Sequence, residues 1–230
     1  MRKIILPLLL STTLPAFGAG VKEPMYMQVL LGQLELDDSS VTITREDVDL
    51  AGELDDIPYL GAAAQVILKE GIVGYGWEGG GFVSWINEDV NYAGYSGPEG
   101  TRVAIAVDNA FWSFETFMGL YVDLKPMDRL RLYVSGGPLA LYARAETENS
   151  EEEPVVTPHN GTVVVTNDDR SDNDFTFGLY ARAGIELRLT EKTWAGFNVR
   201  HMQADVNLSD SIGEFAIDGN LYLFSVTNRY

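Results

Sequence analysis

Residues 177–189 read Phe177-Gly178-Leu179-Tyr180-Ala181-Arg182-Ala183-Gly184-Ile185-Glu186-Leu187-Arg188-Leu189. The odd-numbered positions are all apolar, whereas the even-numbered ones carry glycine, tyrosine or a charge. Because successive side chains of a β-strand point to opposite faces, this alternation predicts a strand with one apolar and one polar face. An ordinary strand has roughly five or six residues. The stretch therefore predicts an unusually long strand.

The composition excludes several classes of protein. The chain has 230 residues with no cysteine, so disulfide scaffolds and thiolate metal sites are excluded. It has 16 basic and 34 acidic residues and a formal net charge of −18, which argues against a nucleic-acid partner. Hydrophobic residues make up 46% of the chain, so general disorder is not expected.

The alternation recurs along the chain and predicts a β-barrel. Eight predicted strands span residues 25–36, 57–68, 72–86, 101–124, 129–146, 174–189, 193–206 and 219–230. Tight turns at 69–71, 125–128 and 190–192 alternate with long polar connections at 37–56, 87–100, 147–173 and 207–218. A transmembrane strand needs roughly 9 to 11 residues, and short periplasmic turns opposite long outer loops are typical of outer-membrane barrels. We expect an all-β, eight-stranded, antiparallel, up-and-down transmembrane β-barrel with short periplasmic turns and long extracellular loops.

Position parity assigns side chains to the two faces of the predicted wall. The outward set is apolar: Leu60, Ala62, Ala64, Val66, Leu68, Val73, Tyr75, Trp77, Val83, Trp85, Trp112, Phe114, Met118, Leu120, Val122, Leu124, Leu130, Leu132, Val134, Ala140, Tyr142, Phe197 and Val199. The inward set is polar: Gln28, Gln65, Glu78, Ser113, Glu115, Asp123, Arg129, Arg131, Ser135, Arg182, Glu186, Arg188, Asn198 and Arg200. Within 101–124 the apolar parity changes near Asp108 and Asn109, so we expect a β-bulge there. Charges inside and apolar residues outside predict a lipid-facing exterior.

The first segment has the layout of a secretory signal peptide. Arg2 and Lys3 precede the apolar run 4–10, and small residues follow at 16–20. That run is too short to span a bilayer, which takes roughly 20 apolar residues. We expect a signal peptide at 1–19, a barrel domain at 20–230, and export to the envelope of a Gram-negative bacterium.

The last ten residues carry a family resemblance. Tyr222, Phe224, Val226 and Tyr230 share one face, and the chain ends on an aromatic residue. This tail resembles the C-terminal assembly signal of bacterial outer-membrane barrels. Together with the predicted strands, it makes the chain similar to small barrels of the OmpA, OmpX and OmpW type. The resemblance implies an outer-membrane location and three kinds of partner: the barrel assembly machinery, outer-membrane lipids and lipopolysaccharide.

Six inward charges form a predicted network in the lumen. They are Glu78, Glu115, Arg131, Arg182, Glu186 and Arg200. Buried ions must be paired, and an eight-stranded barrel is just wide enough for side chains to fill. We expect pairs of arginine and glutamate to plug the lumen. Such a plug has two interpretations. It is a purely structural polar core, or it closes a narrow ion or small-solute channel that is gated by re-pairing of these ions.

The outer loops predict a surface-interaction role of the adhesion type, with residues 37–56 and 147–173 as contact regions for an extracellular partner. Both are rich in carboxylates, which indicates a solvated negative rim, with divalent-cation sites as the alternative. Asn160-Gly161 lies between β-branched runs and predicts a hairpin that extends as a ribbon. We expect no metal and no cofactor.

One enzymatic alternative rests on His201. Its place near the top of the seventh strand resembles the site of lipid A deacylases of the PagL family, which use a His-x-Ser pair and a later glutamate, here Glu214. Gln203 stands where the nucleophilic serine would be, and an amide cannot replace it. Ser209 and Ser211 are out of register. We therefore expect no enzymatic activity.

Overall fold

A computed structural model describes residues 24–36, 40–45, 48–53, 57–96, 101–149, 170–208 and 213–230, so the predicted signal peptide lies outside the described residues. Ten strands run in this order: β1 (Met25–Leu36), β2 (Ser40–Arg45), β3 (Val48–Glu53), β4 (Ile57–Lys69), β5 (Val73–Ser96), β6 (Thr101–Met127), β7 (Leu130–Asn149), β8 (Arg170–Arg188), β9 (Thr193–Leu208) and β10 (Gly213–Arg229). Among the described residues, no helix is long and apolar enough to cross a membrane.

Eight of these strands close into a barrel. β1 and β4 to β10 each pair antiparallel with the next barrel strand along the chain. β10 then returns to β1, with partners running from Tyr26 opposite Arg229 to Leu36 opposite Gly219. Closure leaves the barrel wall without an edge strand. The predicted fold class, an eight-stranded antiparallel up-and-down barrel, is confirmed.

The strands reach further than the sequence indicated. β5 continues to Ser96, β10 begins at Gly213, and most of the predicted loops 87–100 and 207–218 is strand. β2 and β3 prolong the hairpin of β1 and β4, and they pair with β10 and β5 respectively. The polar composition of these segments misled the prediction, because a hairpin ladder continues through polar residues as long as its backbone groups stay paired. The predicted ribbon around Asn160 lies outside the described residues.

The predicted β-bulge near Asp108 and Asn109 is absent. β5 and β6 pair in continuous register from Asn87 opposite Ala110 to Ser96 opposite Thr101. On the β7 side, the described register of β6 shifts between Leu124 and Met127 and is otherwise constant. The parity change in the sequence has another cause. Before Asp108 the apolar residues Val103, Ile105 and Val107 have odd numbers, like buried Phe111, while the pairing of the backbone stays regular.

Outward side chains form an apolar band around the end of the barrel that carries the short turns, which we call the short-turn end. Met118 on β6 is 61% exposed and Leu120 56%, and Trp77 of β5 is 49% exposed. Aromatic rings border this band on the side away from the short turns. Trp112 and Tyr142 have ring centroids 5.3 Å apart, and Phe175 and Phe177 are 5.1 Å apart.

Inward side chains near the short-turn end are mainly polar, although Met25, Ile67 and Trp194 are also buried there. Fully buried groups there include Gln28, Gln65, Glu78, Asp123, Arg131, Arg182, Glu186 and Asn198. One predicted inward residue is wrong: Arg129 is exposed. It lies in the turn between β6 and β7, where strand alternation does not apply, so its parity carried no information about burial.

The distribution of apolar and polar side chains reverses further along the strands, on the outer face and in the lumen alike. Beyond Val199 on β9, the inward positions Met202, Ala204, Val206 and Leu208 are apolar and buried. The outward positions Gln203, Asp205 and Asn207 are polar and exposed. β7 and β10 change in the same way, with Leu141 and Leu221 inside and Arg144 and Asn220 outside. The far half of the barrel therefore has the apolar interior of a water-soluble barrel, and the short-turn half has the inverse.

Candidate functional site

Six side chains form a closed ring of hydrogen bonds across the lumen near the short-turn end. The ring, which we call the lumen ring, runs through Arg131, Gln65, Glu78, Arg182, Gln28 and Glu186 and back to Arg131. The ring repeats the order Arg, Gln, Glu twice. In each half, a glutamine accepts from an arginine through its Oε1 and donates from its Nε2 to a glutamate. The ring thus pairs each ion of one half with its counterion of the other.

Charge-assisted hydrogen bonds from the two arginines form part of the lumen ring. Arg131 donates from Nη1 to Glu186 Oε2 at 2.9 Å and from Nη2 to Gln65 Oε1 at 2.5 Å. Arg182 donates from Nη2 to Gln28 Oε1 at 2.8 Å and to Glu78. Since the six residues come from β1, β4, β5, β7 and β8, the ring ties together strands that do not all neighbour one another.

Aromatic rings and hydroxyl groups complete the surroundings of the lumen ring. The guanidinium carbon of Arg131 lies 4.1 Å from the ring centroid of Tyr26 and 4.8 Å from that of Tyr133. Thr227 Oγ1 donates to Glu186 Oε1 at 2.6 Å, and Tyr180 Oη donates to Glu78 Oε1 at 3.1 Å. Cation–π contacts and hydroxyl donors offset part of the cost of burying these ions.

A second ion pair lies in an aromatic cage. Arg200 on β9 donates from Nη1 to Glu115 Oε2 on β6 at 2.9 Å, and both side chains are fully buried. The guanidinium carbon of Arg200 is 4.7 Å from the ring centroid of Tyr180 and 5.0 Å from those of Phe82 and Phe117. Tyr180 therefore contacts both this pair and the lumen ring.

The buried charges of the described lumen balance. Four carboxylates are buried, on Glu78, Glu115, Asp123 and Glu186, against three arginines. Lys125, 18% exposed at the mouth of the short-turn end, lies 3.8 Å from Asp123 and supplies the fourth cation. Balance of this kind is what burial in a low-dielectric interior requires.

The structure brings all six predicted network residues into the lumen, as two separate clusters. Strand alternation predicts that Gln28, Gln65 and Asp123 face inward, but a network predicted from arginine and glutamate alone does not include them. The two amides are nevertheless the links that close the lumen ring. Their inward parity, on strands whose neighbours carry inward charges, is the signal in the sequence that could have indicated their part in the network.

Gly184 makes room for an aromatic ring of the lumen. A Cβ at this position would meet the ring of Tyr133 at 2.6 Å and Asn198 Oδ1 at 2.3 Å. Tyr133 in turn stacks on Arg131 and Arg182. We expect Gly184→Ala to lower the free energy of unfolding by about 1 to 3 kcal/mol, the usual cost of overpacking. Urea unfolding in detergent micelles, followed by tryptophan fluorescence, measures it.

Gly79 is the matched control on the outer surface of β5. There an added Cβ meets one neighbour, Phe117 O, at an ordinary 3.5 Å. Since glycine costs roughly 0.5 to 1 kcal/mol relative to alanine within a strand, Gly79→Ala should be neutral or stabilising. Equal losses in both variants would contradict the role assigned to Gly184.

The residues of the predicted assembly signal lie together on the outer face of β10. Tyr222, Phe224, Val226 and Tyr230 are all exposed. Tyr222 stacks against Phe197 of β9 with centroids 6.4 Å apart. They therefore belong to the apolar band.

His201 lies on the outer face of β9 beside a carboxylate. Its Nε2 is 3.4 Å from Asp218 Oδ1 on β10, and Gln203 Nε2 donates to Asp218 Oδ2 at 3.4 Å. An imidazole beside a carboxylate is two thirds of a hydrolytic triad. Ser209 and Ser211 lie outside the described residues, and nothing is placed for the Glu214 side chain. In the part of the chain that the structure describes, no group of three or more His, Asp or Glu side chains is arranged to hold a metal ion.

Comparisons with known proteins find solved structures and nothing else. No family model matches the chain, and no curated protein matches it. Ail, the attachment invasion locus protein of Yersinia pestis, in complex with the heparin analogue sucrose octasulfate, is 10% identical, with 90% of this chain and 97% of that chain covered and a TM-score of 0.48.

Two further structures are similar at the same level of identity. Neisserial surface protein A is 10% identical over 90% of this chain and 96% of that chain, with a TM-score of 0.40. The outer membrane protein AlkL, solved in lipid bilayers, is 10% identical over 92% of each chain, with a TM-score of 0.34. The fold assignment rests on the strand pairing of this chain itself.

Proposed function

We propose that this chain is an outer-membrane β-barrel with a closed lumen and a structural or surface-interaction role. The observation that carries the proposal is the inverted distribution of side chains at the short-turn end. Met118 is 61% exposed there, whereas Arg131 is fully buried. Exposing this much apolar surface in water is unfavourable, so a lipid environment is the one that suits it.

The reversal of the pattern sets the height of the proposed membrane crossing. On β6 the apolar-out segment runs from Trp112 to Leu124, and on β9 polar residues occupy the outer face from His201 onward. A tilted strand needs roughly 9 to 11 residues to cross a bilayer. The far part of each hairpin would then extend outside the membrane, and the aromatic residues that border the apolar band would lie at the membrane–water interface.

The arrangement of side chains in the lumen supports the proposal that it is closed. The lumen ring crosses the lumen near the short-turn end, and the pair of Arg200 and Glu115 lies beside Phe82, Phe117 and Tyr180. Beyond them the interior is filled by a cluster of buried apolar residues. An ion entering this segment would lose its hydration without gaining a partner. We therefore favour interaction through outer loops over transport, and we propose that the chain is not an enzyme.

The surface-interaction role, proposed for segments 37–56 and 147–173, is tested on the second of them. Proteoliposomes that carry the full chain should adhere to cultured epithelial cells, and proteoliposomes that carry the chain without 150–169 should adhere less. Because that deletion leaves every barrel strand intact, both proteins should keep the same gel shift on boiling. Adhesion no greater than that of protein-free liposomes would remove the role.

A narrow ion channel is the second candidate function, because some buried polar atoms of the lumen lack a hydrogen-bond partner. Among the described residues, Nε and Nη1 of Arg182, Nδ2 of Asn198 and Oδ1 of Asp123 have no hydrogen-bond partner in the protein. Buried polar atoms are normally satisfied, often by ordered water. A file of such waters would offer ions a path.

Arg182→Ala separates the two candidates. With a closed lumen, we expect planar-bilayer recordings without discrete conductance steps for the wild type, and no change for the variant, because the apolar cluster still closes the far half. A gated channel would instead conduct more when Arg182 no longer holds Glu78 and Gln28. Conductance is compared at matched insertion, with the gel shift on boiling as the control for folding.

A further inference from the structure

The short-turn end of the barrel is basic, although the whole chain is strongly acidic. Six exposed or partly exposed cations, which we call the basic rim, lie in the short turns or at adjacent strand ends: Lys69, Lys125, Arg129, Arg188, Lys192 and Arg229. Three exposed acids accompany them: Glu70, Asp128 and Glu191. Since Lys125 already offsets buried Asp123, the other five cations against three acids leave a surplus of two positive side-chain charges among the described residues of this end, in a chain whose formal net charge is −18.

Backbone pairing sets the cations side by side. Arg188 N donates to Arg129 O at 2.9 Å, and Arg229 N donates to Lys192 O at 2.8 Å. One carboxylate, Glu70, is shared by two of the cations, since it lies 2.8 Å from Arg229 and 3.6 Å from Lys125. The rim therefore continues around the barrel from β7 to β10 and on to β4.

Four cations of the rim have no carboxylate counterion in the described chain; one of them, Arg188, is partly exposed and donates to the backbone oxygens of Thr190 and Asp128. Lys69, Arg129 and Lys192 are exposed, and none of them forms an ion pair with a described carboxylate. An unpaired surface cation costs nothing in water, but a cluster of them favours a negatively charged partner.

The basic rim directly borders the apolar band. Leu68, next to Lys69, is 55% exposed, and Leu189, three residues before Lys192, is 66% exposed. Lys69 Nζ lies 6.0 Å from the ring centroid of outward-facing Tyr75. Long basic side chains and tyrosine at the edge of an apolar surface are typical of the level of lipid headgroups.

We propose that the basic rim binds the phosphate groups of anionic phospholipids in the membrane leaflet at the short-turn end. This inference rests on the proposed membrane insertion and adds the chemistry of the lipids around it. The contact of the rim with exposed leucines favours lipid phosphates over a soluble anionic polymer, which would need no apolar border. Lys69, Arg129 and Lys192 supply the free positive charge, and the leucines and Tyr75 contact acyl chains.

The test counts lipids that stay bound. The full-length barrel is reconstituted into vesicles of phosphatidylcholine, with and without phosphatidylglycerol, and extracted into detergent. Native mass spectrometry then gives the ratio of the two lipids retained. We expect the wild type to prefer phosphatidylglycerol and the triple variant K69Q/R129Q/K192Q to lose that preference, by about fivefold for each basic side chain near the surface. High salt should reduce the preference of the wild type.

Arg144 provides the matched control, because it lies on the outer face of β7, away from the short turns, and pairs there with Glu146. Arg144→Gln should retain the wild-type ratio, whereas the single variant Arg129→Gln should lower it; these single variants also decide the matter if the triple variant does not fold. An unchanged ratio in the rim variants would overturn the inference. The inference would also be overturned if the rim variants lost binding to peptidoglycan fragments while their lipid ratio stayed unchanged, because the rim would then bind that polymer. Failure of the wild type to insert into phosphatidylcholine alone would refute the membrane proposal instead.

Discussion

Met118→Arg is expected to destabilise the barrel by about 2 to 4 kcal/mol in phospholipid vesicles, the cost of an arginine near the middle of a lipid-facing band. Met118 is the middle one of seven outward positions on β6 between Trp112 and Leu124, and it is 61% exposed. In a protein whose exterior faces water, the same substitution would be close to neutral. Reversible urea unfolding in vesicles, followed by tryptophan fluorescence, gives the change.

Gln203→Arg is the control for this prediction. Gln203 also faces outward, but it lies on the polar outer part of β9 beside Asp218. An arginine there meets a carboxylate and water, so we expect a change within about 0.5 kcal/mol. Equal costs at Met118 and Gln203, or no cost at either, would contradict a lipid-facing band.

Arg200→Met is expected to cost about 3 to 5 kcal/mol, because it leaves the Glu115 carboxylate buried without a counterion. Glu115 is fully buried among aromatic rings, with Arg200 as its ion-pair partner in the described chain. The size of the loss is read from unfolding in detergent micelles. The gel shift on boiling shows whether the variant still folds.

The double variant E115L/R200M separates the role of the pair from the cost of an orphaned charge. Replacing a whole buried ion pair by apolar residues of similar size is often neutral or stabilising. We therefore expect the double variant to regain most of the stability lost by Arg200→Met. If the double variant were as unstable as the single one, the loss would not come from the orphaned charge of Glu115. The aromatic cage would then require the ion pair itself for stability.

The strands and their faces could be predicted because alternation depends only on local sequence. From Phe177 to Leu189 the sequence shows both faces of β8 at once. The prediction failed where the strand rule does not apply: Arg129 lies in a turn and is exposed. It also missed the apolar far half of the lumen, although Met202, Ala204 and Val206 have the opposite parity to Val199 and could have indicated the reversal.

The partners within the lumen could be predicted only in part. Arg131 and Glu186 are register neighbours on β7 and β8, so their contact follows once the strands are aligned. The bond from Arg182 to Gln28 joins β8 to β1, which are not adjacent. Such contacts depend on the stagger and diameter of the closed barrel, which no local pattern contains. This is why the six charges were identified as inward while their division into two clusters was not.

The central claim is that apolar side chains of the short-turn half face lipid while its ions face the lumen. Because the chain has no cysteine, each cysteine introduced along residues 177–188 of β8 carries a unique spin label. In phospholipid vesicles, we expect the accessibility of these labels to molecular oxygen to alternate with period two. The maxima should fall at odd positions such as Leu179 and Ile185, and the minima at Arg182 and Glu186. High accessibility of the odd positions to a water-soluble nickel chelate, or the absence of alternation, would contradict the claim.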